Sequence, residues 1–358
     1  MTAFDDLRTW RESATSGEAI AAAVDAVSRG PAAAAARELL ATADRFVVTG
    51  AGSSYYLAQA VAAAGRAILG RAVSATPLSE LILRPDGVLA GSGGGAASGP
   101  EPVVIISRSG STSEAVRVAE LMRASGHPTI AVTCRAGSPL AALADVTLVS
   151  PEGDETAIVM TRSFASMLGL LLAVVAAVGG ADGLMADLAR ATERWPEAVA
   201  AATIGRRLGA TDWSRVVVLG GGPAFGIAAE WVLKLTETSQ VAASAYEPLE
   251  FRHGPISLCE PGMLVVGLVG GAGAAEEAAV VAEAAALGAD TWLIARDEEE
   301  ARGTTGEVSL IGGGLDPLAR LPLLLHPGHA LALALALTRG RDPDAPRHLG
   351  QVVILGLE

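Results

Sequence analysis

The chain contains the same short plan twice, about half a chain apart: an apolar strand, a glycine-rich turn and an alanine-rich helix. The first copy runs from Phe46 to Ser54 into its helix, and the second from Val216 to Ala224. In each half another strand, turn and helix follow, beginning at Val103 and at Leu264. Continuous apolar strands that alternate with helices are typical of parallel sheets buried on both faces. The sequence therefore predicts an α/β fold of two similar three-layer domains.

The length and composition are sufficient for two buried cores, since 51% of the 358 residues are hydrophobic. We expect an N-terminal helical segment over 1–34, a first α/β domain over 35–194 and a second over 195–358. The stretch Gly91 to Gly99 is expected to form a surface loop.

The charge pattern excludes several classes of partner. The net charge of −13, the absence of basic runs and the 4% aromatic content argue against nucleic-acid and anionic-membrane binding. The two cysteines, Cys134 and Cys259, have no metal-ligand spacing, and no signal peptide is visible, so we expect a cytoplasmic protein without a metal. The apolar run from Met167 to Val178 is too short to span a bilayer and predicts a core helix.

Hydroxyl side chains are concentrated at the turns of the first half. They are Ser53, Ser54, Ser107, Ser109, Ser111 and Thr112, whereas the second half has Gly, Pro and Ala at the corresponding places. Hydroxyls beside the N–H groups of a helix N-terminus suit a phosphate. Helix capping explains one or two such residues, but six exceed it. The pattern predicts one phosphate site per chain, in the first half.

Lys234 is the single lysine in a chain with 26 Lys+Arg residues. Glu237 follows at the (i, i+3) spacing that puts both side chains on one helix face. Lysine can be tuned toward a neutral amine, whereas arginine keeps its proton. Two interpretations remain open on these residues alone: an ordinary ion pair on an exposed helix, or a pair that handles protons.

Five segments together resemble the tandem sugar-isomerase (SIS) domain family over nearly the whole chain. They are Gly50 to Tyr55, Ile105 to Thr112, Thr161 to Phe164, Leu233 to Glu237 and Glu250 to Pro255. The pattern is similar to the isomerase half of glucosamine-6-phosphate synthase. It is also similar, in length and style, to the tagatose-6-phosphate ketose/aldose isomerase-like (galactosamine-6-phosphate isomerase/deaminase) group.

The resemblance implies two tandem SIS domains and a sugar phosphate as substrate. It implies that Glu237 moves a proton between C1 and C2 through an enediol or enolamine, while Lys234 assists at the substrate oxygens. It implies that His253 helps to open the sugar ring from the neighbouring subunit, and hence a homodimer. It assigns the phosphate to Ser53, Ser54, Ser107, Ser109 and Thr112.

The residues around Glu237 fit this chemistry. A carboxylate that takes a proton from carbon needs a pKa raised by burial, and the apolar residues Trp231, Leu233 and Leu235 are expected to provide it. A nearby ammonium stabilises a developing oxyanion.

The chain also departs from the synthases. Gln351 stands where they carry a C-terminal lysine that forms a Schiff base, and no N-terminal nucleophilic cysteine follows Met1. Glutamine-dependent amination is therefore not expected, while isomerisation and deamination remain open. Two further alternatives are a ketosamine 6-phosphate deglycase of the fructosyl-amino-acid type and a phosphosugar sensor without turnover. No cofactor is expected, because the turn at Gly50 to Gly52 lacks the third glycine and the acidic ribose ligand of nicotinamide-binding folds.

Overall fold

The structure, a computed structural model, describes residues 3–89 and 100–354. The stretch Gly91 to Gly99, expected to form a loop, lies outside the described residues. The frame consists of two five-stranded sheets in which all the pairs are parallel.

The first sheet contains β1 (Arg45–Gly50), β2 (Ala72–Pro77), β3 (Val103–Ile106), β4 (Thr129–Thr133) and β5 (Val146–Val149). Its strand order is β2-β1-β3-β4-β5, and Val47 of β1 pairs with Val103 of β3. The second sheet contains β6 (Arg215–Gly220), β7 (Ala242–Tyr246), β8 (Met263–Leu268), β9 (Asp290–Ala295) and β10 (Glu307–Leu310). Its order, β7-β6-β8-β9-β10, has the same connectivity.

Helices flank both sheets, as the alternation of strands and helices predicts. In chain order they are α1 (Arg8–Ala14), α2 (Ser16–Arg29), α3 (Pro31–Ala41), α4 (Ser53–Leu69), α5 (Leu78–Leu83), α6 (Pro85–Val88), α7 (Ser113–Ser125), α8 (Pro139–Leu143), α9 (Arg162–Gly179), α10 (Asp182–Arg190), α11 (Trp195–Leu208), α12 (Pro223–Ser239), α13 (Pro248–Phe251), α14 (Ala274–Ala286) and α15 (Leu325–Thr338). Short 3-10 turns lie at Phe4–Asp6, Pro151–Gly153, Ala191–Arg194, Pro255–Leu258 and Leu321–Leu324.

Each sheet buries apolar side chains under its helices. In the first sheet Val47, Ile105 and Ala131 pack in one cluster with residues of α5, α7 and α8, while α4 packs on β1 and β2. In the second sheet Val217, Val265 and Leu293 pack with residues of α14, while α12 packs on β6 and β7. The expected three-layer α/β architecture is confirmed for both halves.

The two turns after the first strand of each sheet have the same backbone. Gly52 has φ 55° and ψ −127°, and Gly222 has φ 52° and ψ −121°. Residues with a side chain rarely adopt this conformation. A Cβ on Gly50 would lie 2.5 Å from the Ser54 carbonyl oxygen, and one on Gly220 the same distance from that of Ala224. In each copy of the motif, one glycine is therefore required for its positive φ and another because the following helix approaches its Cα closely.

The described chain divides into two compact units that are not contiguous in sequence. The unit with the second sheet comprises the residues up to Gly17, Ala157–Thr161 and Arg190–Leu349. The unit with the first sheet comprises Glu18–Thr156, Arg162–Ala189 and the residues from Gly350 onward. The three contiguous segments expected from the sequence, with boundaries at 34/35 and 194/195, stay a prediction.

Two helical stretches are long and apolar enough to cross a membrane, Arg162–Gly179 and Leu321–Thr338. The first contains the run from Met167 to Val178, so the helix is longer than the run suggested. Their apolar windows are 78% and 89% buried inside the protein. That burial is typical of core helices, which is the interpretation expected from the sequence.

Candidate functional site

The hydroxyl-bearing turns follow β1 and β3, which are neighbours in the first sheet. The chain leaves β1 toward β2 on one side and returns to β3 on the other, so the two turns flank the point where the strand order reverses. Ligands of open parallel sheets bind in the crevice at this point. We call this region of the first sheet, residues 50–54 and 107–112, the first switch point.

The five predicted phosphate ligands all lie at the first switch point. Ser53 and Ser54 begin α4, and Ser107 and Ser109 are in the turn after β3, all with less than a tenth of their surface exposed. Thr112 is the N-cap of α7, but its side chain makes no capping hydrogen bond. Capping therefore does not explain the hydroxyl of Thr112, which lies 3.4 Å from the Ser107 hydroxyl.

A buried ion pair supports the turn after β3. Arg108 lies in this turn, and its Nη1 is 3.7 Å from Oε1 of Glu155, with both side chains buried. Glu155 also accepts from the backbone N–H of Arg162 at 3.0 Å and of Ser163 at 3.2 Å, at the start of α9. These contacts compensate the buried carboxylate. Neither role was assigned from the sequence, because 47 residues separate Arg108 from Glu155.

The C-terminal residues lie beside the same turn, within the same unit. Arg108 Nη2 donates to the backbone carbonyl of Gln351 at 3.0 Å, and Gln351 Nε2 donates to the backbone carbonyl of Glu155 at 2.9 Å. The backbone N–H of Ser113, the first residue of α7, donates to the Val353 carbonyl at 3.3 Å. Gln351, which the resemblance aligned with the synthases' lysine, is thus next to the predicted phosphate turn and offers an amide there.

The corresponding place in the second sheet holds carboxylates. We call the turns after β6 and β8, residues 220–224 and 269–273, the second switch point. Glu247 accepts from the Gly222 N–H at 3.4 Å, and Glu300 from the Gly271 N–H at 3.1 Å. A Cβ on Gly221 would lie 2.1 Å from Oε1 of Glu277, so this carboxylate lies directly on the turn.

The pKa of Glu277 reflects this crowding of anions. Burial, helped by the charges of Glu247 and Glu300, raises this pKa to about 7 against the opposing effects of the Gly270 backbone and the Arg320 charge. Two backbone N–H groups of these turns, those of Gly222 and Gly271, are already bonded to carboxylates. This favours the expected single phosphate site, in the first half of the chain.

Lys234 is not on an exposed helix face. Its side chain is 2% exposed, and its Nζ lies 2.5 Å from Oε2 of Glu237 and 3.3 Å from Oε1 of Glu230. Glu230 is fully buried, whereas Glu237 is 19% exposed. The interpretation of Lys234 and Glu237 as an ordinary ion pair on an exposed helix is therefore wrong, because with Glu230 they form a largely buried cluster on α12.

The charge state of Lys234 follows from this cluster. Burial alone lowers its pKa, but the charges of Glu230 and Glu237 and their hydrogen bonds outweigh burial, so the pKa lies above its usual range. A lysine tuned toward a neutral amine is therefore not what the structure contains. A permanent ammonium fits the stabilisation of an anion better than it fits proton transfer.

The surroundings of this cluster are apolar, as the helix sequence predicts. Trp231 and Leu235 are buried, and Leu233 is half-buried. The Trp231 indole donates to the Leu324 carbonyl at 2.9 Å, and a Cβ on Gly328 would lie 2.2 Å from its ring. Helix α12 is thus held against α15 at close distance.

His253 lies apart from these contacts, in the turn between α13 and the 3-10 turn at Pro255–Leu258. It is exposed, and among the residues that the structure describes none forms a hydrogen bond or ion pair with its imidazole. The following residue, Gly254, has φ 136°, which favours glycine. The structure therefore does not join His253 to Glu237 or Lys234 by such a contact, and its predicted role stays a prediction.

Two other histidines, unassigned from the sequence, are core residues of the unit that contains the second sheet. The Ser13 hydroxyl lies 2.8 Å from Nδ1 of both His326 and His329. His326 stacks on Trp10 with ring centroids 4.6 Å apart. Burial lowers the pKa of His326 to about 4, and burial together with the charges of His326 and Lys234 holds the pKa of His329 well below its usual range. Within residues 3–89 and 100–354, no three His, Cys, Asp or Glu side chains are placed to hold a metal ion.

Comparison with known proteins agrees with this architecture. A glutamine–fructose-6-phosphate aminotransferase (isomerizing) of Aeropyrum pernix is 30% identical over 361 residues, covering 94% of this chain and 55% of that protein. A second, from Pyrobaculum aerophilum, is 30% identical over 271 residues, covering 70% of this chain and 43% of that protein. The chain thus spans about half the length of the curated relatives that it matches.

Two solved structures share the fold. The C-terminal domain of glucosamine-fructose-6-phosphate aminotransferase from Francisella tularensis has a TM-score of 0.83 at 19% identity, covering 95% of this chain and 99% of that one. Tagatose-6-phosphate ketose/aldose isomerase from Escherichia coli has a TM-score of 0.82 at 23% identity, covering 99% and 97%. The SIS domain profile matches residues 39–177 and 211–302, more than half of the chain. The chain belongs to the SIS domain family.

Proposed function

We propose that this protein is a phosphosugar isomerase that interconverts the aldose and ketose forms of a hexose or hexosamine 6-phosphate. The observation that carries the proposal is the cluster on α12: a partly exposed carboxylate, Glu237, hydrogen-bonded at 2.5 Å to a buried ammonium, Lys234. A carbon acid needs a base that the substrate can reach and a fixed positive charge for the oxyanion that forms.

In this proposal the first switch point binds the phosphate through Ser53, Ser54, Ser107, Ser109 and Thr112. Their hydroxyls lie at or just before the N-termini of α4 and α7, the helices that follow the neighbouring strands β1 and β3, and this arrangement supports an anion site. The carboxylates at the second switch point support one phosphosugar per chain.

Glu237 removes a proton from C2 of the open-chain aldose and returns it to C1, through an enediolate whose charge is stabilised by Lys234. The proton of the C2 hydroxyl moves to the C1 oxygen, which leaves a carbonyl at C2 and a hydroxyl at C1. In the reverse direction the proton leaves C1 and returns to C2. With Gln351 at the synthases' lysine position, ring opening and isomerisation do not pass through a Schiff base at this residue. A hexosamine phosphate entering the same sequence of steps yields a C2 imine that water hydrolyses, releasing ammonia.

We further propose that His253 opens the sugar ring in the site of a neighbouring subunit, in a homodimer. Its exposure and its lack of a side-chain partner in the described part of the chain are consistent with this role. Mixing inactive His253→Ala and Glu237→Gln variants should restore about a quarter of the activity if the histidine acts across a two-fold dimer. No restoration after subunit exchange would assign both residues to the same chain. The free cysteines are consistent with a reducing, cytoplasmic setting.

The central test is proton exchange. The protein is incubated in D₂O with a panel of hexose and hexosamine 6-phosphates, and deuterium at C2 is followed by NMR. Glu237→Gln should lower the exchange rate by about 10²–10⁴-fold while the phosphosugar still binds. Glu276→Gln, an exposed carboxylate on α14, is the matched control and should exchange at the wild-type rate.

Two other outcomes are informative. Tight binding without exchange of any sugar would contradict the isomerase and identify a sensor. Release of a free amino acid from a ketosamine 6-phosphate would identify a deglycase, and ammonia from a hexosamine 6-phosphate a deaminase.

A further inference from the structure

Lys234 lies between two carboxylates that differ in their exposure to solvent. Glu230, one turn before it on α12, is fully buried, with its Oε1 3.3 Å from the lysine Nζ. Glu237, one turn after it, is 19% exposed, with its Oε2 2.5 Å away. When all three groups are ionised, the cluster carries two negative charges and one positive charge.

The proposed reaction changes this balance. While Glu237 carries the proton taken from carbon, it is neutral and no longer compensates Lys234. A buried ammonium without a counter-charge tends to lose its proton. Lys234 would then be a neutral amine while the enediolate needs a positive charge beside it. A second anion is therefore required to keep Lys234 protonated during the lifetime of the enediolate.

We propose that Glu230 is the permanent counter-charge of Lys234 and keeps it an ammonium whether Glu237 is ionised or protonated. Glu230 is a positioning residue, since it is buried and acts through Lys234. Its role in turnover rests on the proposed isomerase function, whereas the charge state of Lys234 is a property of the free protein and can be measured without a substrate.

The groups packed against Lys234 from other elements agree with a charged lysine. His329 of α15 is buried, and burial together with the charges of His326 and Lys234 lowers its pKa well below the usual range. Both histidines are therefore neutral near pH 7, and they share the Ser13 hydroxyl. The anions that raise the pKa of Lys234 are Glu230 and Glu237.

The single lysine makes the test direct. Lysine labelled with ¹³C at Cε gives one side-chain resonance, whose shift reports the charge of Nζ. Glu237→Gln mimics the protonated Glu237, and Lys234 should remain an ammonium in this variant up to about pH 9. Adding Glu230→Gln should lower the pKa of Lys234 by about two units or more.

Two results would overturn the proposal: deprotonation of Lys234 near neutral pH in Glu237→Gln alone, or the same titration with and without Glu230→Gln. Glu276→Gln added to Glu237→Gln is the control for loss of a carboxylate and should leave the titration unchanged. Circular dichroism at each pH checks that the variants are folded.

If the double variant does not fold, melting temperatures provide a second test. Lys234→Met leaves Glu230 buried beside a methionine, so the melting temperature should fall. Adding Glu230→Gln removes the uncompensated anion and should recover part of that loss. No recovery would contradict the pairing. Neither test depends on exchange in D₂O, so failure of this inference and failure of the isomerase proposal are distinguishable.

Discussion

The two switch points of this molecule have the same backbone and opposite side-chain chemistry. Gly52 and Gly222 adopt nearly the same φ and ψ, and each precedes a helix that begins at the next residue. At the first switch point, hydroxyls lie at the two turns; at the second, Glu247 and Glu300 accept backbone N–H groups and the Glu277 carboxylate lies against Gly221. The duplicated frame therefore supplies the same turn backbone twice, while the side chains at the two turns differ: hydroxyls in one copy and carboxylates in the other.

The difference also separates two tasks. The half whose switch point carries carboxylates contains the Lys234 cluster on α12, the helix that follows its first strand. In the other half, the equivalent helix, α4, begins with Ser53 and Ser54. The equivalent helices therefore carry the proposed binding groups at the N-terminus in one copy and the proposed acid–base groups, about three to four turns along the helix, in the other.

The largest effect on phosphosugar binding is expected from a carboxylate introduced at the first switch point, because it would make this turn resemble the second one. Thr112→Asp keeps a good N-cap for α7, so the fold should be retained. The new anion should repel a phosphate and lower phosphosugar affinity by about 100-fold or more, measured by calorimetry. Thr112→Val, which removes only the hydroxyl, should cost about 10-fold.

Ser125→Asp, at the exposed C-terminal end of the same helix, is the matched control for the added charge. Unchanged affinity in Thr112→Asp would show that the phosphate does not bind at this turn.

Replacing Gly52 and Gly222 should show that the two turns contribute similarly to stability but differently to phosphosugar binding. A Cβ at Gly52 or Gly222 meets no atom within 4 Å, so Ala there is opposed only by the positive φ. Each substitution should reduce the free energy of unfolding by about 1–3 kcal/mol, measured by urea denaturation. Only Gly52→Ala should also weaken phosphosugar binding.

Gly87→Ala, on a helix with ordinary φ and open space around its Cβ, is the control and should be nearly neutral. Equal losses of affinity in Gly52→Ala and Gly222→Ala would contradict the assignment of binding to the first switch point alone.

The smallest expected effect is the pH dependence caused by Glu277. Its pKa is about 7 in the folded protein, above the 4.5 of a glutamate side chain free in solution, so the folded state holds the proton more tightly. Its contribution to stability is therefore complete below about pH 4.5 and is lost as the pH rises through 7. Because the group is partly exposed, the loss should be about 1–2 kcal/mol.

Glu277→Gln should remove this part of the profile, so its melting temperature should fall less than that of the wild type between pH 5 and about pH 8. The neighbouring exposed Glu276→Gln should follow the wild type. Parallel profiles for Glu277→Gln and the wild type would rule out titration of Glu277 in this range.

Much of the fold was predictable from local patterns. Apolar runs such as Val103 to Ile106 are buried strands, and the glycine turns that follow β1 and β6 have matching backbone angles, because strand burial and positive φ leave a direct trace in residue type. The hydroxyls at 53, 54, 107, 109 and 112 were also visible, since they are local to two turns. The division into units was less accessible, because it depends on which sheet the terminal residues pack against.

The partners of the candidate site could not be read from the sequence in the same way. Arg108 and Glu155, or Glu277 and the Gly221 turn, are brought together by strands and helices far apart in the chain. Glu230 is an exception, because its (i, i+4) spacing to Lys234 was already a signal of a third member of the cluster.

The sequence by itself determined the duplicated α/β frame, the hydroxyl-rich turns and the pairing of one lysine with Glu237 on one helix face. Each of these is a local property: strand hydrophobicity, a glycine where φ is positive, or a helical spacing. The packing of the whole chain decides that Lys234 is a buried ammonium held by two carboxylates, and that carboxylates lie at the turns of the second switch point. Charge state depends on burial and on groups from distant segments, and neither is written in a local stretch of sequence.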